Sequence, residues 1–311
     1  KIEHGERFLD LTCGLGVDTF HYSRQFHEVV TLERDTLIAD IARENFKRLE
    51  AKNITVINSE CEEYIANYSG EPFDLVYVDP ARRDHTKRVF LLEDCSPNIV
   101  ELIPVLQKIT KKVIIKLSPL FDMDEAERIF GSGVTLRAVS VSGECKELCV
   151  EIDFESHSCT KIIASCVSKN GEINECQFDK SEINATPCAL ERAVEEYRYI
   201  SILDVALRKM RCATGYYKKY HANEKPLFDN DVALWMERPE NLAGRCYRIE
   251  TVMEYKPKLI KELGIKTATI IIQNFDLPME ELRKRLSIKS GSGATLIFTT
   301  IRNKQYFFKV L

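Results

Sequence analysis

Across residues 7–155, short apolar runs alternate with stretches of helical spacing, and this alternation constrains the fold more than any other feature. The strand candidates are Arg7–Leu11, Glu28–Leu32, Ile54–Ile57, Leu75–Val78 and Val113–Leu117. Between them, Thr36–Lys52 places apolar residues at 37, 38, 41, 42, 46 and 49. Pro97–Ile109 also has helical spacing, with Ser96 as cap and Pro97 at the first helical position. Strands separated by helices run parallel through right-handed crossovers, with helices on both faces. Two further runs, Thr135–Ser142 and Glu147–Phe154, are joined by Gly143-Glu144-Cys145-Lys146, which leaves no room for a helix and makes them antiparallel. The expected fold class is α/β: a Rossmann-like sheet of seven strands with a reversed last strand.

The pattern changes after Glu155. Thr160–Ser168 and Glu172–Phe178 flank the turn Asn170-Gly171 and read as a hairpin. Leu190–Arg211 has helical spacing, and Phe228–Trp235 and Tyr247–Glu250 suggest short strands. Then come a helix at Pro257–Leu263, a strand at Thr267–Gln273, a helix at Pro278–Leu286, a turn at Gly291-x-Gly293, and a terminal hairpin of Thr295–Ile301 and Gln305–Leu311. These units read as small ferredoxin-like α+β layers with a boundary near Val252. The expected domains are 1–155, 156–252 and 253–311.

Composition narrows the class. Apolar content of 44% and charged content of 30% suit a soluble globular protein. No run reaches the roughly 18 apolar residues of a membrane span, and no leader is evident, so a cytoplasmic location is expected. The chain starts at Lys1 and enters its first strand within seven residues, which suggests a preceding segment. Eleven cysteines without a C-x-x-C, several of them inside strands (Cys149, Cys166), read as reduced buried thiols, and no metal is expected. Residues 1–155 hold 19 Lys+Arg against 29 Asp+Glu, a net of −10, and residues 156–311 hold 25 against 19, a net of +6. The second half is the better polyanion binder, unless its cations are simply a solvated surface.

The first strand leads into Asp10-Leu11-Thr12-Cys13-Gly14-Leu15-Gly16-Val17-Asp18-Thr19. Threonine stands where a G-x-G-x-x-G fingerprint needs its third glycine, so a nicotinamide site is not indicated. The segment instead reads D-x-x-C-G-x-G, a strand-end acid followed by a turn whose backbone can approach a small ligand. Glu33, at the end of the second strand, is placed for two ribose hydroxyls. Glu60, after the third, is placed for an exocyclic amine such as adenine N6. Acid-rich loops disfavour a phosphorylated ligand and suit a cationic nucleoside, and S-adenosylmethionine fits. The candidate cofactor set is Asp10, Thr12, Cys13, Gly14, Gly16, Glu33, Arg34, Glu60, Cys61 and Asp79.

Residues 7–155 resemble a class I S-adenosylmethionine-dependent methyltransferase, with Tyr77-Val78-Asp79-Pro80-Ala81-Arg82-Arg83-Asp84 in the place of that family's fourth motif. In subfamilies that methylate nucleic acids this motif reads D/N-P-P-Y/F/W or D-P-P/A-R. The resemblance implies that Asp79, Pro80 and Arg82 are the catalytic set, positioning the acceptor beside the methyl donor. Ala81 and Arg82 replace proline and an aromatic, so no ring stands at 82 to stack a flipped purine. D-P-A-R is closer to the RNA 5-methyluridine enzymes, which attack with a cysteine. Cys95 is the nearest such residue, either nucleophile or packed thiol. Arg82, Arg83, Lys87 and Arg88 either grip substrate phosphates or pair with Asp84, Glu93 and Asp94.

Val141-Ser142-Gly143-Glu144-Cys145-Lys146-Glu147-Leu148, Leu242-Ala243-Gly244-Arg245 and Asn274-Phe275-Asp276-Leu277-Pro278-Met279-Glu280-Glu281-Leu282-Arg283 are similar to a bacterial methyltransferase family. Its Rossmann-like domain is followed by ferredoxin-like and THUMP-like domains. THUMP domains elsewhere present RNA to a catalytic partner. The resemblance implies methyl transfer to a structured RNA (rRNA or tRNA) captured by the C-terminal half. A protein or small-molecule acceptor, or a non-catalytic RNA-binding module, are the alternatives. Trp235, the Tyr216-Tyr217-Lys218-Lys219-Tyr220 cluster and Arg283-Lys284-Arg285 are either RNA contacts or core and solvated surface.

Overall fold

Runs rich in Val, Ile, Leu and Phe become parallel strands when helices cover both sheet faces, and β4 (Leu75–Val78) is buried at every position. A computed structural model describes residues 4–82, 92, 95–156, 159–183, 192–229 and 231–311. The chain forms two compact units, Lys1–Val139 with Lys146–Ile163, and Ser140–Cys145 with Ala164–Leu311.

The first half runs β1 (Gly5–Asp10), α1 (Val17–Tyr22), β2 (Phe26–Glu33), α2 (Thr36–Arg48), β3 (Ile54–Asn58), α3 (Cys61–Ala66), then β4. It continues with β5 (Ala81–Arg82), β6 (Cys95–Ser96), α4 (Ile99–Leu106), β7 (Lys112–Leu117), α5 (Met123–Phe130), β8 (Thr135–Val141) and β9 (Glu144–Asp153). These strands order as β8-β9-β7-β4-β1-β2-β3, seven of the nine strands in the sheet, so the expected count of seven falls short by the two strands that follow β9 in the chain. β1 pairs parallel with β2 and β4, β2 with β3, and β4 with β7. β9 pairs antiparallel with β7, from Lys112↔Asp153 to Leu117↔Leu148, so the last strand is reversed and inserted between β7 and β8. Asp35 caps α2 by accepting from the amides of Leu37 and Ile38, and the helix buries Ala39, Ala42 and Phe46. Ser96 caps no helix: Cys95 and Ser96 pair with Arg82 and Ala81, and α4 starts behind Asn98.

The second unit contains β10 (Lys161–Val167), β11 (Ile173–Asp179), α6 (Lys180–Ile183), β12 (Tyr199–Leu203), α7 (Val205–Lys209), α8 (Ala213–Tyr220), β13 (Leu227–Asp229) and β14 (Val232–Trp235). It ends with β15 (Gly244–Glu254), α9 (Pro257–Glu262), β16 (Thr267–Gln273), α10 (Met279–Leu286), β17 (Lys289–Ile301) and β18 (Lys304–Val310). Seven strands order as β13-β14-β12-β15-β18-β17-β16. β17 shows why one sheet supports two cores. Leu296 and Phe298 join Ile260, Leu282 and Leu286 of the helices, while Ile297 and Ile301 join Ile200, Leu234 and Phe308.

Two expectations fail here. The helical spacing of 190–211 is overridden at β12, which pairs with β14 on one side and β15 on the other, burying Ile200 and Ile202. Gly291 and Gly293 lie inside β17 rather than in a turn. The pairing with β16 jumps from Ala268↔Ser290 to Thr269↔Thr295, and a Cβ on Gly293 would stand 2.4 Å from Thr267 Oγ1. Glycine permits that close approach. Among the described residues no helix is long and apolar enough to cross a membrane.

Gly16, the residue before α1, has φ +89°, and a Cβ there would lie 2.3 Å from the Phe46 ring. Left-handed strain and overpacking should therefore combine in Gly16→Ala, with an expected loss of about 2–4 kcal/mol. Denaturant unfolding of the variant measures it.

Candidate functional site

Because β4, β1, β2 and β3 are parallel neighbours, their carboxyl ends lie side by side, and the residues just beyond them form one connected frame. At its root is Asp10, fully buried, whose carboxylate accepts from the Thr12 amide at 2.8 Å and from the Thr19 hydroxyl. Thr19 also contacts the Thr31 hydroxyl at 3.2 Å. Burial pushes the Asp10 carboxyl up to about 6, against the opposing pull of the Thr19 and Thr12 hydrogen bonds. The Thr12 hydroxyl in turn accepts from the Asp79 amide at 2.8 Å, which joins the end of β1 to the end of β4.

Glu33 secures the other side of the glycine turn. One carboxylate oxygen accepts from Gly14 N at 2.9 Å and the other from Asp35 N at 2.9 Å. Gly14 has φ +54°, and no atom lies within 4 Å of where its Cβ would be, so the turn opens onto space there. Gly16 is used differently, packed on Phe46. Cys13 packs with Ala42 and Phe46, and burial pushes its thiol up to about 11.

At β3 the exposed Glu60 is the N-cap residue of α3 and makes no side-chain cap bond. Cys61 is buried, and burial raises its thiol. Arg34 donates to Ser96 Oγ at 3.0 Å. Hydrogen bonds therefore join Asp10, Thr12 and Asp79 in one set and Gly14 with Glu33 in another, and the Cys13 amide, donating to the Leu32 carbonyl at 2.8 Å, ties the turn between them to β2. No bond ties Glu60 or Cys61 to this frame through their side chains.

The sequence reading missed a second cluster, which meets this frame at Asp79. Lys116, the penultimate residue of β7, bridges Asp18 at 2.9 Å and Asp79 at 3.1 Å, with Glu147 at 3.9 Å. The Tyr77 hydroxyl donates to the same Asp18 oxygen at 2.7 Å. Burial opposes the Lys116 charge, but the Asp18 hydrogen bond and the Asp79 charge outweigh it and hold the ammonium above its ordinary value. Desolvation raises Glu147 despite that ammonium. Beside the cluster is a cavity of about 290 Å³ walled by Asp79, Pro80, Cys95, Lys116, Phe121 and Glu147. The signal available in the sequence was the lone charge in Val113-Ile114-Ile115-Lys116-Leu117, since a charge within a buried strand requires partners.

Other candidates separate clearly. Arg82 lies on β5, opposite Cys95. Arg83, Lys87 and Arg88, with Asp84, Glu93 and Asp94, lie outside the described residues. Trp235, Tyr216 and Tyr217 are core: each is 1% exposed, and Trp235 donates to Ser201 Oγ at 2.7 Å. Arg283 is spent on the Ala268 carbonyl, and Arg285 pairs with Glu281. Among the described residues no group of three His, Cys, Asp or Glu converges to hold a metal ion.

Such a sheet, with a reversed inserted strand and a polar frame at its carboxyl edge, is a Rossmann-like methyltransferase fold. A crystal structure of a "putative methyltransferase" from Porphyromonas gingivalis W83 superposes with a TM-score of 0.84 at 24% identity, covering 99% of this chain and 77% of that one. Residues 2–96 match the family described as Conserved hypothetical protein 95, and residues 244–308 match THUMP domain-like. The chain thus carries a THUMP-like domain behind a methyltransferase fold.

Two curated relatives are named Ribosomal RNA small subunit methyltransferase J. That of Francisella tularensis subsp. novicida is 38% identical over 80 residues, 23% of this chain and 33% of the relative. That of Francisella philomiragia is 30% identical over 129 residues, 35% of this chain and 53% of the relative. The chain spans between a third and about half the length of these relatives.

The Asp10 value gives a signed expectation. A carboxyl raised from 3.8 to about 6 on folding costs nothing below pH 3.8, and its full penalty is present above pH 6. Asp10→Asn keeps an acceptor for the Thr12 amide and removes the charge. Relative to wild type, it should gain up to ~3 kcal/mol between pH 4 and pH 7. Urea unfolding at a series of pH values reads this, and a difference flat with pH would show that Asp10 is not held in this way.

Proposed function

We propose that the chain is an S-adenosylmethionine-dependent methyltransferase acting on a structured RNA. Residues 1–155 would hold the methyl donor and align the acceptor, and residues 156–252 and 253–311 would capture the substrate. The observation that carries the reading is the hydrogen bond from the Asp79 amide to the Thr12 hydroxyl. It fixes the glycine turn and the cavity at Asp79-Pro80 in one frame, so that a donor and an acceptor could be held side by side. The names of the curated relatives and the basic second half support RNA as acceptor.

The residues present fit the donor. The space over Gly14 lets a ligand approach backbone, and Glu33 at the end of β2 and Asp79 just past β4, with Asp18 in the first turn of α1, supply carboxylates around it. Glu33 keeps a second lone pair on each oxygen after binding Gly14 and Asp35, which suits two ribose hydroxyls. Asp10, buried and bonded within the protein, would shape the turn rather than touch the ligand. Glu60, exposed beyond β3, would receive the adenine amine. Bound S-adenosylmethionine would supply an electrophilic methyl on a sulfonium. Lys116 holds the Asp79 carboxylate in place at 3.1 Å, and Asp79 can accept an N–H from an acceptor seated in the cavity, orienting its nucleophilic atom.

Glu33→Ala is expected to weaken cofactor binding by roughly 1.5–3 kcal/mol in calorimetry, and unchanged affinity would remove Glu33 from the site. For the acceptor, filter binding to total RNA over a salt series should show affinity falling steeply as salt rises. Weak, salt-independent retention would point to a protein or small-molecule acceptor instead.

A further inference from the structure

The second unit contains a cavity of about 710 Å³ that the proposed methyl transfer does not use. Two strings that stood out in the sequence, far apart along the chain, meet there: Ser142-Gly143, and Leu242 through Arg245. We infer that this cavity is a binding site for a phosphorylated nucleoside, with the guanidinium groups of Arg245 and Arg208 recognising the phosphate. The inference rests on the RNA reading above only for the source of that nucleotide.

Ser142 has φ +56°, Gly143 +82°, Asn241 +51° and Gly244 +158°, all on the positive side, and all four line the space. A side chain at Gly244 is excluded, because its Cβ would stand 2.3 Å from the Ile202 carbonyl oxygen. Glycine at 143 has a separate purpose: the space its side chain would fill borders the Arg245 guanidinium, with a terminal nitrogen 3.0 Å from the hypothetical Cβ. Ser142 and Gly143 are the two-residue turn between β8 and β9, where positive φ at both positions matches the twist of the hairpin, and this turn sets Gly143 against Arg245.

The polar chemistry points to an anion. Arg208, on α7, donates from Nη1 to Gln273 at 3.2 Å, while its Nε is buried with no hydrogen-bond partner among the described residues. An unsatisfied buried donor on a cation is costly and calls for an explanation. Lys169 adds a third cation from the turn after β10. Two carboxylates on the wall, Glu172 and Asp204, the latter accepting from the Ala206 amide at 2.8 Å and from the Ser140 hydroxyl, face three cations, and Asp231 acts on Arg208 from beyond the wall.

Tyr247, Ile202 and Leu242 supply an apolar surface beside the cations. Inorganic phosphate would leave that surface bare, and an apolar ligand would strand the arginines. A nucleotide uses both, and the volume suits one or two nucleotides of single strand rather than a duplex. Arg245 can meet the phosphate with two parallel N–H bonds, which lysine cannot.

The test uses the full chain and fluorescence anisotropy with a short 5′-labelled single-stranded RNA, with AMP and UMP as unlabelled competitors. Arg245→Gln should weaken RNA binding roughly tenfold and reduce the slope of log affinity against log salt by about one, and Arg245→Lys should recover only part of the loss. Arg208→Gln checks the second cation, and calorimetric S-adenosylmethionine binding should be the same in all variants. RNA binding by Arg245→Gln and Arg208→Gln equal to wild type, in affinity and salt slope, overturns the site. Mononucleotides that bind in an Arg245-dependent way, with no RNA binding, keep the site and make a free nucleotide its ligand. Wild-type protein that binds RNA here but no S-adenosylmethionine leaves this site standing while the methyltransferase reading fails.

Discussion

The arrangement of the first unit depends on a carboxylate that water never reaches. Asp10 ends β1 and is fully buried, so it must find its partners within the protein, and it finds them in the Thr12 amide and the Thr19 hydroxyl. Those two bonds curl the chain immediately after the strand and set the start of α1 against it. The curl delivers the Thr12 hydroxyl to the Asp79 amide and leaves Gly14 within reach of Glu33. Three strand ends are thereby locked to one another before any ligand arrives. A site built this way loses little freedom on binding.

Lys116 performs the matching task for charge. Asp18 and Asp79 lie close enough to share one ammonium, and without it they would repel each other across a partly buried space. The Tyr77 hydroxyl shares the same Asp18 oxygen, so the cluster is anchored from β4, α1 and β7 at once. Asp79 is thus fixed at two points, its amide by Thr12 and its carboxylate by Lys116. A carboxylate held at both ends can orient an acceptor without first having to be ordered itself.

What could be read from the sequence divides along physical lines. The strands β1 to β4 and β7 were legible because continuous apolar runs bounded by helix-period segments have few other solutions. The glycine turn was legible from its position at a strand end. Lys116 was not recognised, because its meaning lies in partners 98 and 37 residues away, Asp18 and Asp79, and local pattern does not carry such distances. The strand at 199–203 was hidden for a similar reason: pairing on both sides overrides spacing that locally favours a helix. Gly291 and Gly293 looked like a turn, but glycine also marks close backbone approach, and only the neighbouring Thr267 decides between the two.

The contrast in charge between the halves agrees with the two ligands proposed for them. Residues 1–155, at −10, offer strand-end carboxylates that suit a cation and would repel a phosphate. Residues 156–311, at +6, include Arg208, Arg245 and Lys169 around a single cavity. One surface would not suit both proposed ligands, since a field that concentrates a sulfonium expels a polyanion. Under the proposed function, separating the two signs along the chain would let a phosphate-rich substrate meet cations without meeting the carboxylates that suit the methyl donor. Binding through the exposed cations would then weaken with salt, whereas the Lys116 pairs with Asp18 and Asp79, being partly buried, are screened much less.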